Sequence, residues 1–364
     1  MDADRITRHT RILLQIPVVV AQAVMRHGGH LPAIARKLVL SLKHRYEPRE
    51  AFAKELLDPT LPDSEFSKHL SRSNMSRIQR QCNPSAWESL LADKSVFYRY
   101  CTVCGIPIPT VYATFSKYSP GVTQSGKLLA GRQQWVSYLL EECPPEIVLK
   151  PNHGFYGFGI MFLERTHGEF VDNYGKHFRA EAVYDRMMSD KKSDMFVIQE
   201  RIRNHRDIAR LSGSQALQTM RMTTVLQADG SVTLAWAHLK LAGGEHLVDN
   251  YRYGELNNLM AGVDTRTGVV RQMLLSHNSK ITAHPKTGIP IVGFQIPYWN
   301  ESRALVERSA RKFSPLGTIG WDVAVTQNGP MIIEGNIWYD PPSAPDIADF
   351  LAAFRTLIPT SKKS

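Results

Sequence analysis

The spacing of apolar positions divides the chain into two textures. Up to about residue 85, apolar residues recur at three- and four-residue steps over residues 34–44, 50–57 and 71–81, which predicts amphipathic helices. Pro32, Pro48, Pro59, Pro62 and Pro84 punctuate them. From about residue 86, helical stretches alternate with short strand-like runs. Residues 94–104 read as a helix that stops at Gly105, since Pro107 and Pro109 forbid its continuation. Residues 135–143 read as another helix. Strands are predicted over 111–115, 146–150, 160–163, 195–200, 219–227, 232–241, 321–326 and 331–337, with Asp229-Gly230 turning between the fifth and sixth. Many of these join as hairpins, so the fold class is α+β rather than a doubly wound parallel sheet.

Composition narrows the partners. The chain has 364 residues, 43% hydrophobic and 21% charged, an ordinary globular balance. Its 44 Lys+Arg against 34 Asp+Glu give a net charge of +10, which points to an anionic partner. No dense basic run or aromatic-interleaved basic stripe is present, so no nucleic acid is expected. The longest apolar stretch, residues 12–25, contains Gln15, Pro17 and Gln22 and is shorter than the ~18–20 residues of a spanning helix. Arg5, Arg8 and Arg11 followed by that stretch and Ala21-Gln22-Ala23 imitate a signal peptide. Asp2 and Asp4 in the basic region, with Gln15 and Pro17 in the apolar one, count against it. A packed or membrane-surface helix is the expectation. Cys101 and Cys104 have the spacing of half a zinc site, but the other half is missing, so inert helix cysteines are expected.

Three segments could carry chemistry. Gly121-Val-Thr-Gln-Ser-Gly126-Lys127 fits a phosphate-loop pattern, but Leu128 stands where the magnesium-binding Ser or Thr belongs, and a surface loop is expected. A strand ending in Lys150-Pro151 leads into a loop with Gly154, Gly157 and Gly159, and a second strand follows. Its glycines would let backbone N–H groups approach phosphate oxygens, or the loop is a plain tight hairpin. Asp322, Glu334 and Asn336 fall on two strands around Asn328-Gly329. Glu334 and Asn336 share a face, and Asp322 joins them only if it lies opposite Glu334. A three-residue loop, 327–329, with Gly329 in a left-handed bulge position, would give that register. Two carboxylates and an amide oxygen on one face suit Mg²⁺ carrying nucleotide phosphates.

In order along the chain, Asp93-Lys94, Lys150-Pro151 with its glycine loop, and Asp322…Glu334-Gly-Asn336 resemble the ATP-grasp superfamily. Ser214 to Arg221, Val248-Asp249-Asn250, His284 to Gly288, Ile296 to Trp299 and Gly320-Trp321-Asp322 extend the likeness to its sugar-transfer-associated group, related to α-L-glutamate ligases. The likeness covers about residues 45–342. It implies an ATP-grasp fold of two α+β lobes gripping ATP, behind a helical N-terminal region. The corresponding divisions are residues 1–85, a core over 86–342 with a smaller glycine-loop lobe at about 110–200, and a C-terminal helix and tail over 343–364.

The same resemblance implies site roles. Lys94, Lys150 and the loop glycines Gly154, Gly157 and Gly159 would contact ATP phosphates. Gln199, Glu200, Arg201 and Ile202 would form the strand against adenine, with Asp207 at the ribose. Arg221, Lys240 and Asn250 would line the acyl-phosphate region, and Asp322, Glu334 and Asn336 would hold Mg²⁺, two ions in all. Phe155-Tyr156 at the loop tip departs from the small residues of relatives. His153, His205 and His284 read as loop histidines, and Tyr298-Trp299 as core packing or a sugar-stacking platform. The implied reaction is ATP-dependent ligation of a small-molecule or glycan-linked carboxylate to an amine through an acyl-phosphate. A kinase of the same fold and a non-catalytic anionic-glycan or envelope-associated binding protein are the alternatives. The expected location is cytoplasmic, with a membrane or acidic partner for residues 1–60 left open, where ten Lys/Arg face six Asp/Glu.

Overall fold

Four helices open the computed structural model, which describes residues 2–28, 30–154, 159–243, 258–275, 280–342, 346–355 and 357. They are α1 (Asp2–His27), α2 (Leu31–Lys43), α3 (Pro48–Ala53) and α4 (Arg72–Cys82). The first three close over a core of their own, with Val19, Ala23, Ile34, Leu38, Leu57 and Phe66 buried together. Among the described residues, no helix is long and apolar enough to cross a membrane. The helix expected over 50–57 stops at Ala53, because Glu55 turns into the left-handed region at φ 57°.

Two short helices, α5 (Ser89–Ala92) and α6 (Lys94–Val103), lead into the first sheet. Asp93 caps α6, accepting from the Val96 N–H at 2.9 Å. The sheet contains β1 (Val111–Ser116), β2 (Gly121–Thr123), β3 (Leu128–Leu129), β4 (Glu146–Pro151), β5 (Met161–Thr166), β6 (Glu169–Asp172), β7 (His177–Phe178) and β8 (Met195–Gln199). Its order is β3-β2-β1-β8-β4-β5-β6-β7, antiparallel throughout. The flanking helices α7 (Gly131–Ser137) and α8 (Ala180–Ser189) cover one face through Trp135, Leu139, Val183 and Met187. Residues 121–127 are not simply a surface loop, since Gly121 packs on Trp135 and β2 and β3 form a hairpin. The helix expected over 135–143 relaxes into a π-helical stretch at Tyr138–Glu142.

Beyond α9 (Arg206–Ser212), the second sheet holds β9 (Thr219–Leu226), β10 (Val232–Leu241), β11 (Leu259–Val263), β12 (Val270–Leu274), β13 (Lys280–Ile281), β14 (Thr318–Thr326) and β15 (Gly329–Asn336). Its order is β13-β12-β11-β10-β9-β14-β15, again antiparallel. Helix α10 (Trp299–Lys312) packs on one face, where Met220, Met222, Leu239, Trp321 and Val323 meet Leu305, Val306 and Phe313. Trp299 is part of this core, which answers its packing reading. The other face is covered at one end by α4 and α11 (Ile347–Ala352), through Met75, Val225, Trp236, Ile347 and Phe350. Its opposite end is left polar.

The hairpin β14–β15 places the acidic residues by a different device from the expected one. Thr326 pairs with Gly329, so the loop has two residues, and that register continues to Val323 opposite Ile332. Carried further, it would set Glu334 opposite Trp321, on the core face. Instead Ile333 is left unopposed as a β-bulge, and Asp322 pairs with Glu334. The shift moves one residue from the turn into the strand and turns Glu334 to the polar face. The buried Tyr98 hydroxyl donates to the Ile333 carbonyl at 2.9 Å, giving the bulge a partner that the ladder denies it. Tyr98→Phe should leave that carbonyl unsatisfied and cost about 1–3 kcal/mol, read from urea unfolding. Unchanged stability would show that the bulge does not depend on this bond.

Candidate active site

Four strands converge on one carboxylate. Cross-strand pairing sets Arg221 on β9 beside Asp322 on β14, which faces Glu334 on β15. Arg221 Nε donates to Asp322 Oδ1 at 2.8 Å and Nη2 to Oδ2 at 3.2 Å. Lys240 Nζ on β10 lies 3.1 Å from Oδ1. Asn336 Nδ2 reaches Oδ2 at 3.3 Å and also donates to the Gly320 carbonyl, which leaves its own oxygen as an acceptor. Lys94 closes the group, with Nζ 3.0 Å from Glu334 Oε1.

The electrostatics follow from this burial. Burial alone would raise the Asp322 pKa, but Arg221 and Lys240 reverse that and hold its carboxyl well below the usual carboxylate range. Burial likewise opposes the Arg221 charge, and Asp322 more than offsets it. Among the described residues no group of three or more His, Cys, Asp or Glu could hold a metal. Two carboxylates and an amide oxygen are what this face offers.

The two lobes are joined at the same point. Asn152, fully buried, follows β4, and its side-chain oxygen accepts from the Ser95 N–H at 2.8 Å while its carbonyl accepts from the Lys94 N–H at 3.4 Å. Lys94 Nζ also reaches the Gly154 carbonyl at 3.4 Å. The start of α6 is thereby fastened to the glycine loop. Lys150 pairs with Val197, whose side chain lies in the main core, so Lys150 shares the sheet face turned toward β9–β15. Gln199 is on that face two residues on, and its buried amide oxygen has no partner.

The remaining sequence candidates divide. Gly159 adopts φ +77°, and a Cβ there would come within 2.8 Å of the Pro151 ring. The Glu200 carboxylate accepts from the Thr110 N–H at 3.1 Å, and the Arg201 guanidinium stands 5.7 Å over the Phe162 ring. Ile202 follows them, half-buried. Asp207 lies in the first turn of α9, beside His205, with no contact to the carboxylate group. Gly157, Asn250 and the Phe155-Tyr156 tip lie outside the described residues. His284 lies in the loop after β13 as a loop histidine, fully buried with its Nε2 3.0 Å from the Ala242 carbonyl, and His153 sits 3.5 Å from Asp93. The free cysteines Cys101 and Cys104 lie at the end of α6, Cys101 buried with its thiol pKa pushed up by burial, as inert residues would be.

Sequence reasoning missed His238 and Asn152. His238 pairs with Arg221 across β9–β10, and its buried Nδ1 has no partner. Burial first, then the charges of Arg221 and Lys240, drive its pKa far below the ordinary histidine value. The alternation Trp236, His238, Lys240 along one strand was the available signal.

A family model described as "Sugar-transfer associated ATP-grasp" matches residues 73–355. No curated protein matches the sequence. Among solved structures, the chain is similar to a RimK domain protein ATP-grasp from Sphaerobacter thermophilus DSM 20745, at 18% identity over 73% of this chain and 68% of that one, TM-score 0.39. It is similar to the biotin carboxylase–β-γ-ATP complex from Campylobacter jejuni, at 13% identity over 79% and 51%, TM-score 0.45. It is also similar to the D-alanine-D-alanine ligase from Coxiella burnetii, at 10% identity over 74% and 57%, TM-score 0.37. The chain thus spans little more than half the length of the last two.

The histidine and carboxylate give stability an acid limit. Unfolded His238 takes up a proton near pH ~6.5, whereas the folded imidazole stays neutral. Below that pH the unfolded state binds more protons, so stability should fall, by up to about 1.4 kcal/mol per pH unit for one histidine. Asp322 adds a further loss below about pH 4, because its folded form is held ionised. Urea midpoints of His238→Gln should fall less steeply than wild type between about pH 6.5 and 5. Parallel slopes would refute the assignment.

Proposed function

The chain belongs to the sugar-transfer-associated ATP-grasp family, and we propose that it is an ATP-dependent ligase that joins a carboxylate to an amine. Its α+β architecture is the ATP-grasp fold, and nucleotide would lie between the two sheets. The observation that carries the reading is the charge arrangement on one strand face. Lys94, Arg221 and Lys240 surround Asp322 and Glu334, with Lys150 on the facing sheet.

That arrangement suits an exchange of partners. In the free chain, each carboxylate is neutralised by side-chain cations. A triphosphate would draw Lys94, Lys150, Lys240 and Arg221 to its oxygens, freeing Asp322, Glu334 and the Asn336 oxygen. Those three are hard oxygen donors and fit Mg²⁺, which typically takes one or two carboxylates and completes its shell with phosphates and water. Bound there, Mg²⁺ would neutralise phosphate charge. The unpartnered Gln199 oxygen, buried on the face of β8 shared with Lys150, would accept from an adenine amino group.

The chemistry asked of this chain is positioning and charge stabilisation. An acceptor carboxylate would attack the γ-phosphorus in line, releasing ADP and forming an acyl-phosphate. Arg221 and Lys240 would stabilise the charge developing there. An amine would then attack the acyl carbon and expel phosphate, giving the amide. No protein nucleophile is required, which agrees with the inert cysteines. The acceptors would be a small-molecule or glycan-linked carboxylate and an amine.

ADP release measured over a panel of amino acids, uronic acids and amino sugars, with product masses, tests the reading. Natively folded Glu334→Gln should lose at least about 100-fold in turnover, in the range of removing one preorganised electrostatic group. Full turnover by that variant would sink the proposal. A product that keeps the phosphoryl group would replace ligation with kinase chemistry.

A further inference from the structure

The surface of the N-terminal helices is unlike the rest of the molecule. Among the described residues, seven of the sixteen exposed large apolar side chains fall within residues 13–42, on α1 and α2. Scattered exposed apolar residues are ordinary, whereas a contiguous patch marks an interaction surface. On α1, Leu14, Val18, Ala21 and Met25 follow steps of four, three and four residues, so they form one stripe about 16 Å long. Leu14 is 72% exposed, Val18 49% and Met25 77%. The stripe is not unfinished core, since Val19 and Ala23 on the far side of the same helix are fully buried with Ile34 and Leu38. Leu31, Ala35, Val39 and Leu42 make a second exposed stripe on α2.

Charge decides what covers these stripes. Residues 2–43 hold seven Lys/Arg against two Asp/Glu, and both acids fall within the first four residues. Arg36 and Lys37 are engaged by Asp63, whereas Lys43 at the end of α2, with Arg45 and Arg49 just beyond it, is exposed beside Leu42. A second copy of the chain would bring the same cations against these. Residues 2–43 also contain no Phe, Trp or Tyr, and aromatic anchors carry much of the energy of protein–protein interfaces. Hydrocarbon asks only for aliphatic area, and anionic headgroups supply the opposing charge. Among the described residues no helix is long and apolar enough to cross a membrane, so the contact would run along the surface.

We infer that the outer face of α1, extended by α2, docks on an anionic lipid bilayer. Leu14, Val18 and Met25 enter the boundary between headgroups and acyl chains, and the basic side chains meet the headgroups. One face of α1 thus closes the helical core while the other holds the protein at a membrane surface. This goes beyond the ligase reading and does not depend on it.

Flotation of the full chain with extruded vesicles is the test. Wild type should bind vesicles of equal parts phosphatidylcholine and phosphatidylglycerol, and salt should weaken that binding. Phosphatidylcholine alone should bind at least about tenfold more weakly. Val18→Glu and Met25→Glu should each lose at least about tenfold on the mixed vesicles, and Lys43→Gln about fivefold. These side chains are exposed, so thermal unfolding and calorimetric nucleotide affinity should match wild type in all three variants. Equal vesicle binding by both glutamate variants overturns the inference, as does failure of wild type to bind. A wild-type dimer in sedimentation velocity that Met25→Glu dissociates assigns the face to a second copy and overturns it too. Absence of nucleotide binding with vesicle binding intact overturns the ligase reading alone.

Discussion

A buried carboxylate that must stay ionised governs this structure. Asp322 can be charged in the interior only because Arg221, Lys240 and Asn336 each present a donor to it. Taking a carboxylate out of water costs several kcal/mol, and that cost is offset only when geometry and hydrogen bonds are nearly ideal. Three strands must therefore hold their register against one another around a single residue. The bulge at Ile333 is part of the same constraint, since without it Glu334 would face Trp321 in the apolar layer. Tyr98 secures the bulge from α6, the helix that also delivers Lys94.

Lys94 shows how local chemistry becomes long-range order. Asp93 caps the helix, which fixes where Lys94 emerges. Asn152 then ties that helix start to the end of β4, and so couples the glycine-loop lobe to the buried carboxylates through Lys94 and Glu334. Three cations, Lys94, Arg221 and Lys240, hold the two carboxylates in the free chain, and the proposed exchange with a triphosphate would reuse them.

The N-terminal helices have their own apolar core but do not stand apart from this chemistry. Arg72 and Asp340 link them to the strand end that bears Asn336, while Gln79 Nε2 donates to the Tyr339 carbonyl at 2.9 Å. Part of the basic charge is thus held in ion pairs, Arg72 with Asp340 and Arg221 with Asp322.

Much of this was legible without coordinates, and the reasons are local. Residues 232–241 have the predicted bounds of β10, because a run of strand-favouring residues follows the Asp229-Gly230 turn. Asp93 before an apolar helix, and Glu334-Gly-Asn336 on a strand, are short-range patterns whose spacing already fixes their relative direction. Register was not legible. The pattern of the site asks for Asp322 opposite Glu334 and a three-residue loop would give it, whereas the chain makes a two-residue turn and carries the extra residue at Ile333. Asn152 was equally invisible, since an asparagine has no local signature of being buried, and His238 was marked only by its alternation with Trp236 and Lys240. The sequence by itself determined the elements, the acidic pair and the family resemblance. Only the tertiary structure decided which charges are desolvated together, because burial is a property of what other segments bring to a residue and not of its neighbours in the chain.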